Sequence, residues 1–229
     1  MISQTAFISE IFFSLQGEGI FVGLPQIFVR LSGCDLSCVW CDERLKEPQG
    51  IMTASDVLDR VRSLAGSVSS VAITGGEPLL CGAFLKELLP LLERAGFAIY
   101  LETNGIYASA LEEIIDWVSV IAMDIKLPSA VGGREFWAEH TRFLKTAASS
   151  SLFVKIVVDA ATTDKEFAQA AELIARQSPH IPLVIQPVSH GNGIPREALQ
   201  RGEALLRIAG FHLKDIRMIP QVHKMAGWR

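Results

Sequence analysis

The chain has 229 residues, 49% of them hydrophobic and 20% charged, which excludes wholesale disorder and fibrous or low-complexity classes and leaves room for a core without disulfides. Twenty-one Lys and Arg against 25 Asp and Glu give a net charge of −4, so the composition lacks the basic field that direct nucleic-acid binding leaves. No apolar run approaches the roughly 20 residues of a membrane span, and the start MISQTAFISE lacks the basic-then-apolar pattern of a signal peptide; no membrane partner and a cytoplasmic location are expected.

In chain order, β-rich runs fall at Ile27–Leu31, Val71–Thr74, Ala98–Glu102, Val118–Asp124, Leu152–Val158, Leu183–Gln186 and Ile216–Ile219. Helical patterns lie between them. Thr53 with Asp56, and Thr163 with Glu166, read as capping-box starts, and Val57, Leu58, Val61 and Leu64 then share one face. Leu85, Leu88, Leu89 and Leu92 form a second apolar stripe ending before Gly96, and Pro195 opens a last helix that runs to about Gly210. No repeat, linker or charge block marks a boundary, so one domain over 1–229 is expected. Alternation of strand and helix implies right-handed crossovers and a mostly parallel sheet, either doubly wound or curled as a full or partial barrel.

In either architecture a ligand site forms beyond the carboxyl ends of the strands. The residues just after the strands are SGCDLSCVWCDE, GGEP, Thr103-Asn104-Gly105, Asp124-Ile125-Lys126 and Gln186-Pro187, which gathers soft-metal ligands, glycines and polar groups on one rim. Cys34, Cys38 and Cys41 place three thiolates within eight residues, close enough to wrap an iron–sulfur cluster or to hold zinc. A closed zinc site would take a fourth ligand from Asp35, Asp42 or Cys81, whereas a cluster with three protein ligands leaves one iron open. Gly75 and Gly76 allow close backbone approach at a strand end, and Glu77 offers an acceptor for an ammonium. Trp40 can cover a ring or the cluster with its face, and Cys81 reads as a small buried hydrophobe.

GCDLSCVWC resembles the CxxxCxxC motif of radical S-adenosylmethionine enzymes, and ITGGEP resembles that superfamily's second element. EIFFSLQGEGIFVGLPQIFVRLSGC at 10–34 and QVHK at 221–224, with TNG at 103–105, DIKLPS at 124–129 and LVIQPV at 183–188, are similar to the 7-carboxy-7-deazaguanine synthase family over essentially the whole chain. The resemblance implies an α/β partial barrel of about six parallel strands with its cluster loop at 32–43. It implies a carbon–nitrogen lyase that contracts 6-carboxy-5,6,7,8-tetrahydropterin to 7-carboxy-7-deazaguanine with loss of ammonia, for queuosine or other deazapurines. Its cofactors would be a 4Fe-4S cluster on Cys34, Cys38 and Cys41, S-adenosylmethionine and Mg2+. Its partners would be the small-molecule pterin, an electron donor such as a flavodoxin, and a second copy in a homodimer.

By the same resemblance, Trp40, Gly76, Glu77, Asp124, Ile125, Lys126 and Gln186 contact S-adenosylmethionine. Leu15, Gln16, Gly17, Glu18, Arg30, Thr74, His223 and Arg229 contact the pterin, Arg30 as a clamp on its carboxylate or its polar edge. No general acid or base is assigned. The family usually reads CDT where this chain has Cys41-Asp42-Glu43. Glu43 is therefore expected to bind magnesium directly or through water, with Asp42 in support; without the metal its charge would repel the substrate carboxylate. Competing readings are a glycyl-radical activase, which leaves LQGEG and QVHK unexplained, and a zinc-binding module without radical chemistry. Direct tRNA modification is disfavoured by the acidic balance.

Overall fold

The computed structural model describes residues 4–41, 50–191 and 193–228. Nine strands pair into one sheet: β1 (Thr5–Leu15), β2 (Pro25–Leu31), β3 (Gly50–Thr53), β4 (Ser70–Gly75), β5 (Ala98–Thr103), β6 (Val120–Asp124), β7 (Leu152–Val158), β8 (Leu183–Pro187) and β9 (Ile216–Met218). The order is β3-β1-β2-β4-β5-β6-β7-β8-β9. From β2 through β9 every pairing is parallel, so seven strands send their carboxyl ends to one rim, one more than the six expected. β1 and β3 extend the other edge antiparallel.

Among the described residues seven α-helices accompany the sheet: α1 (Ala54–Ala65), α2 (Gly82–Arg94), α3 (Ala108–Glu112), α4 (Trp137–Thr146), α5 (Asp164–Gln177), α6 (Arg196–Ala209) and α7 (Val222–Ala226). Both capping boxes form: Thr53 and Thr163 accept from the backbone of Asp56 and Glu166, whose carboxylates reach back to the cap N–H groups. Pro195 sits at the N-cap of α6. α7 and the strands β1 and β3 are additions to the sequence reading.

One face of the sheet packs on the helices. Ile27, Val29, Ile73, Leu101, Met123 and Ile156 bury there against Val57, Leu88, Phe143 and Phe167. The other face is concave and carries a smaller apolar layer, with Phe12, Phe28, Ala72, Tyr100, Ala122, Phe153 and Val184 drawn from successive strands. This separation is the partial-barrel arrangement: the helices seal the outside, and the concave face with the strand-end loops bounds a cavity. β1 escapes a period-2 reading because a bulge between Ile8 and Glu10 shifts its register, which swaps the faces of all later side chains. No helix among the described residues is long and apolar enough to cross a membrane.

Leu88 is fully buried between α2 and the sheet. Leu88→Ala is expected to cost about 2–5 kcal/mol of stability, read as a lower urea midpoint at unchanged denaturant slope.

Candidate active site

A cavity of about 720 Å³ opens at the carboxyl rim of the parallel strands. Cys34, Cys38 and Cys41 border it. The loop that carries them follows β2 and is held on three sides. Val39 N–H donates to Ala130 O at 3.0 Å, the Tyr107 hydroxyl donates to Asp35, and Leu36 and Cys38 pack on Ala130, Val131 and Phe136. Burial and the bond to Asp35 push the Tyr107 phenol well above its ordinary range, so it stays a donor.

Behind the loop, Gly76 N–H donates to Leu31 O and Glu77 N–H to Gly33 O, both at 2.9 Å. A Cβ on Gly75 would overlap the Leu31 backbone, and one on Gly76 the carbonyl of Gly33. Gly75 also has φ +126°, which an L side chain rarely adopts. The glycine pair thus lets the strand end lie directly under the cysteine loop.

The floor of the cavity is ionic. Lys155, on β7, pairs with Glu18 and lies 3.4 Å from Asp124 Oδ2, which Lys126 Nζ also meets at 2.8 Å. Burial alone would raise the Glu18 carboxyl, but the charge and hydrogen bond of Lys155, with Gln221, hold it well below the usual carboxylate range. Glu18, Asp124 and Glu102 in turn keep Lys155 protonated against its own burial. Gln221 Nε2 donates to Glu18 Oε1 at 2.8 Å, and His223 Nδ1 lies 3.9 Å from the same oxygen. Val222 N–H donates to Gly17 O at 2.9 Å, and His223 fills the space a Cβ on Gly17 would need. The segment at 221–223 is therefore seated on the LQGEG turn.

Beside this floor, Gln16 Nε2 donates to Glu102 Oε1 at 2.9 Å and to Gln26 Oε1 at 3.1 Å, while Thr74 Oγ1 donates to Glu102 Oε2 at 2.8 Å. Arg30 Nη1 is 3.1 Å from Glu10 Oε2, and its guanidinium lies 4.9 Å over the Phe12 ring.

Trp40, Gly76, Asp124, Lys126 and Gln186 line this one cavity, as do Leu15, Gln16, Gly17, Glu18, Arg30, Thr74 and His223. Two expected cofactor contacts do not line it. Ile125 is 1% exposed and belongs to the helix-side core. Glu77, also 1% exposed, accepts from Leu79 N at 3.0 Å, Thr103 Oγ1 at 2.8 Å and Asn104 N at 2.7 Å, so its carboxylate binds the chain rather than an ammonium; burial pushes its pKa up to about 7. Asp42, Glu43 and Arg229 lie outside the described residues. Cys81 is half-buried against the core and does not line the cavity.

Sequence reasoning missed Lys155, Glu102 and Gln221. The first two carried a readable signal, a charge inside an otherwise apolar parallel strand, because such a charge is buried and must be paired. Gln221 opens the QVHK segment, where only the histidine had been singled out.

A family model described as the Radical SAM superfamily matches residues 28–174. A 7-carboxy-7-deazaguanine synthase of Geobacter sulfurreducens is 39% identical, covering 96% of each chain. One from Methanopyrus kandleri is 34% identical over 95% of this chain and 92% of its own. The crystal structure of QueE from Escherichia coli superposes with a TM-score of 0.67 at 25% identity, covering 96% of this chain and 95% of that one. The chain belongs to the 7-carboxy-7-deazaguanine synthase family, within the radical SAM superfamily.

Membership in that superfamily implies a 4Fe-4S cluster and S-adenosylmethionine, and the residues fit both. Among the described residues no three His, Cys, Asp or Glu side chains gather tightly enough for one metal ion. An iron–sulfur cube takes thiolates set farther apart than those of a single ion. The glycine pair clears backbone space beside Cys34. Trp40 Nε1, Asp124 Oδ1 and both amide atoms of Gln186 are buried without protein partners on cavity-lining residues, valences that a polar nucleotide can fill.

Gly76→Ala must push the cysteine loop aside, and iron analysis after anaerobic reconstitution is expected to fall well short of four per chain. Glu77 carries a pH signature. Its folded pKa lies above the ordinary 4.5, so the native state binds the extra proton and its share of stability, full at acid pH, declines as pH rises towards about 7. Thermal melts of Glu77→Gln and the parent are expected to differ with pH across that window, the parent losing stability relative to the variant as pH rises.

Proposed function

We propose that this chain is the radical SAM lyase that converts 6-carboxy-5,6,7,8-tetrahydropterin to 7-carboxy-7-deazaguanine, releasing ammonia, in queuosine and deazapurine biosynthesis. The observation that carries this reading is the convergence on one cavity of the three-cysteine loop, the Gly75–Gly76 turn and the LQGEG turn with its 221–223 cover. The first two belong to the superfamily at large; the LQGEG turn and its QVHK cover are what a glycyl-radical activase would not explain.

Cys34, Cys38 and Cys41 would hold the cluster and leave one iron to the amino-acid tail of S-adenosylmethionine. Together these cofactors would supply radical chemistry able to activate a C–H bond of the bound pterin. The protein's own work is to orient and to exclude water. Trp40, Gly76, Asp124, Lys126 and Gln186 serve the nucleotide half. Leu15, Gln16, Gly17, Glu18, Thr74 and His223 serve the pterin, with Glu102 and Lys155 behind them. Glu18, ionised by Lys155, is an acceptor ready for the N–H edge of the bicycle. Arg30 takes the substrate carboxylate, with Arg229 as a further pterin contact.

Glu43, supported by Asp42, replaces the usual threonine as a hard oxygen ligand for Mg2+. The chain acts as a single domain over 1–229, in the cytoplasm, as a homodimer reduced by a flavodoxin-type donor.

Anaerobically reconstituted protein is expected to be brown, with four irons per chain. With S-adenosylmethionine, a reductant and the tetrahydropterin it should form the deazapurine chromophore. Colourless protein holding one zinc, or iron-loaded protein that forms no deazapurine, would overturn the reading. Removal of magnesium, or Glu43→Ala, is expected to cut turnover at least tenfold; unchanged turnover removes the metal assignment alone.

A further inference from the structure

Among the described residues, four that line the cavity carry buried polar atoms without protein partners, and three of them already have a place in the proposed nucleotide subsite. The fourth is Asn104, 5% exposed, whose Nδ2 has no hydrogen-bond partner. All of its other polar atoms are committed. Its N–H donates to Glu77 Oε2 at 2.7 Å, its carbonyl lies 3.2 Å from His140 Nε2, and its Oδ1 accepts from Ile106 N–H at 3.0 Å. A backbone N–H can only donate, so the amide atom facing Ile106 is the oxygen and the remaining one is the NH2. By the same logic His140 Nε2 carries its hydrogen, and burial, which lowers the His140 pKa to about 4, keeps the ring neutral.

The next residue is pinned as well. Gly105 has φ +70°, and a Cβ there would strike the Met123 side chain. Asn104 therefore cannot turn its amide to another partner without breaking the turn to Ile106. A fixed donor, buried and unanswered by protein, lies in the lining of a cavity.

Strand order locates it. Asn104 follows β5, whose neighbour β4 ends in the Gly75–Gly76 turn seated on Leu31 and Gly33, directly before Cys34. The tail of the sulfonium nucleotide that reaches the cluster offers an ammonium, which is a donor, and a carboxylate, which accepts. An NH2 matches only the carboxylate.

We propose that Asn104 is a ligand-contacting residue whose side-chain amide donates to the carboxylate of the nucleotide's amino-acid tail, with Glu77 and His140 as positioning residues that fix its backbone on both sides. This rests on the radical SAM reading above.

Asn104→Asp is the test. It keeps the size and the oxygen that caps Ile106, and sets a carboxylate oxygen where the donor was. The holoprotein, reconstituted to four irons and left unreduced so that nothing turns over, is titrated with S-adenosylmethionine by equilibrium dialysis, and then separately with the pterin. S-adenosylmethionine affinity is expected to fall at least tenfold while pterin affinity stays within twofold. His140→Phe is expected to weaken S-adenosylmethionine binding about threefold with the same pterin affinity, and His140→Gln, which keeps a donor, to restore it.

An Asn104→Asp holoprotein that binds S-adenosylmethionine within twofold of the parent overturns the proposal. So does an equal loss of pterin affinity. If Asn104→Asp fails to load iron, Asn104→Ser, uncharged and still able to accept from Ile106, takes the same measurement; failure of both to load iron assigns Asn104 to the fold and overturns the proposal. A parent protein that neither loads four irons nor binds S-adenosylmethionine sinks the functional reading itself, which is a separate result.

Discussion

One buried ammonium ties the cavity together. Lys155 meets Glu18, from the turn after β1, and Asp124, from the end of β6, so elements more than a hundred residues apart in sequence converge on a single cation. Two carboxylates and two lysines, all largely buried, would be costly singly. As a set they hold one another charged, which the opposed shifts of Glu18 and Lys155 express. Removing one member would strand the others, so the set specifies a geometry more than it adds stability. It also joins the turn after β1 to the carboxyl ends of β6 and β7.

The parallel sheet explains why that convergence is possible. Strands of common direction deliver their following loops to one rim, and the helices bury only the convex face. The concave face is left with small and aromatic side chains at one level and with Glu102, Asp124 and Lys155 at the next, so charge and apolar layer alternate along the same strands. The cysteine loop, by contrast, has little regular structure of its own. It is positioned from outside by β4, by the carbonyl of Ala130 and by Tyr107.

Much of this was legible in the sequence, and the reasons differ by element. The parallel strands announced themselves as short apolar runs because helices cover one face and small and aromatic side chains line the other, and the capping boxes on Thr53 and Thr163 marked helix starts to the residue. β1 did not, because its bulge breaks the alternation that a strand reading relies on, and β3 is only four residues long. The cysteine and glycine motifs located the rim from spacing alone. The partners within the rim could not be read that way: Glu77 follows the glycines yet faces inward to Thr103 and Asn104, and Gln16 spends its amide on Glu102, 86 residues away. Long-range pairing of this kind depends on sheet order, which local sequence does not encode.

The cover of the cavity has a consequence for how the molecule matures. Val222 and Gln221 close on Gly17 and Glu18 across some two hundred intervening residues, the longest-range contact that shapes the enclosure. On a ribosome the early strands emerge and begin to order well before that partner exists. The LQGEG turn therefore lacks this partner until residues 221–223 have been made. The thiols need no such interval, since Cys34 and Cys41 stay exposed with the cover in place.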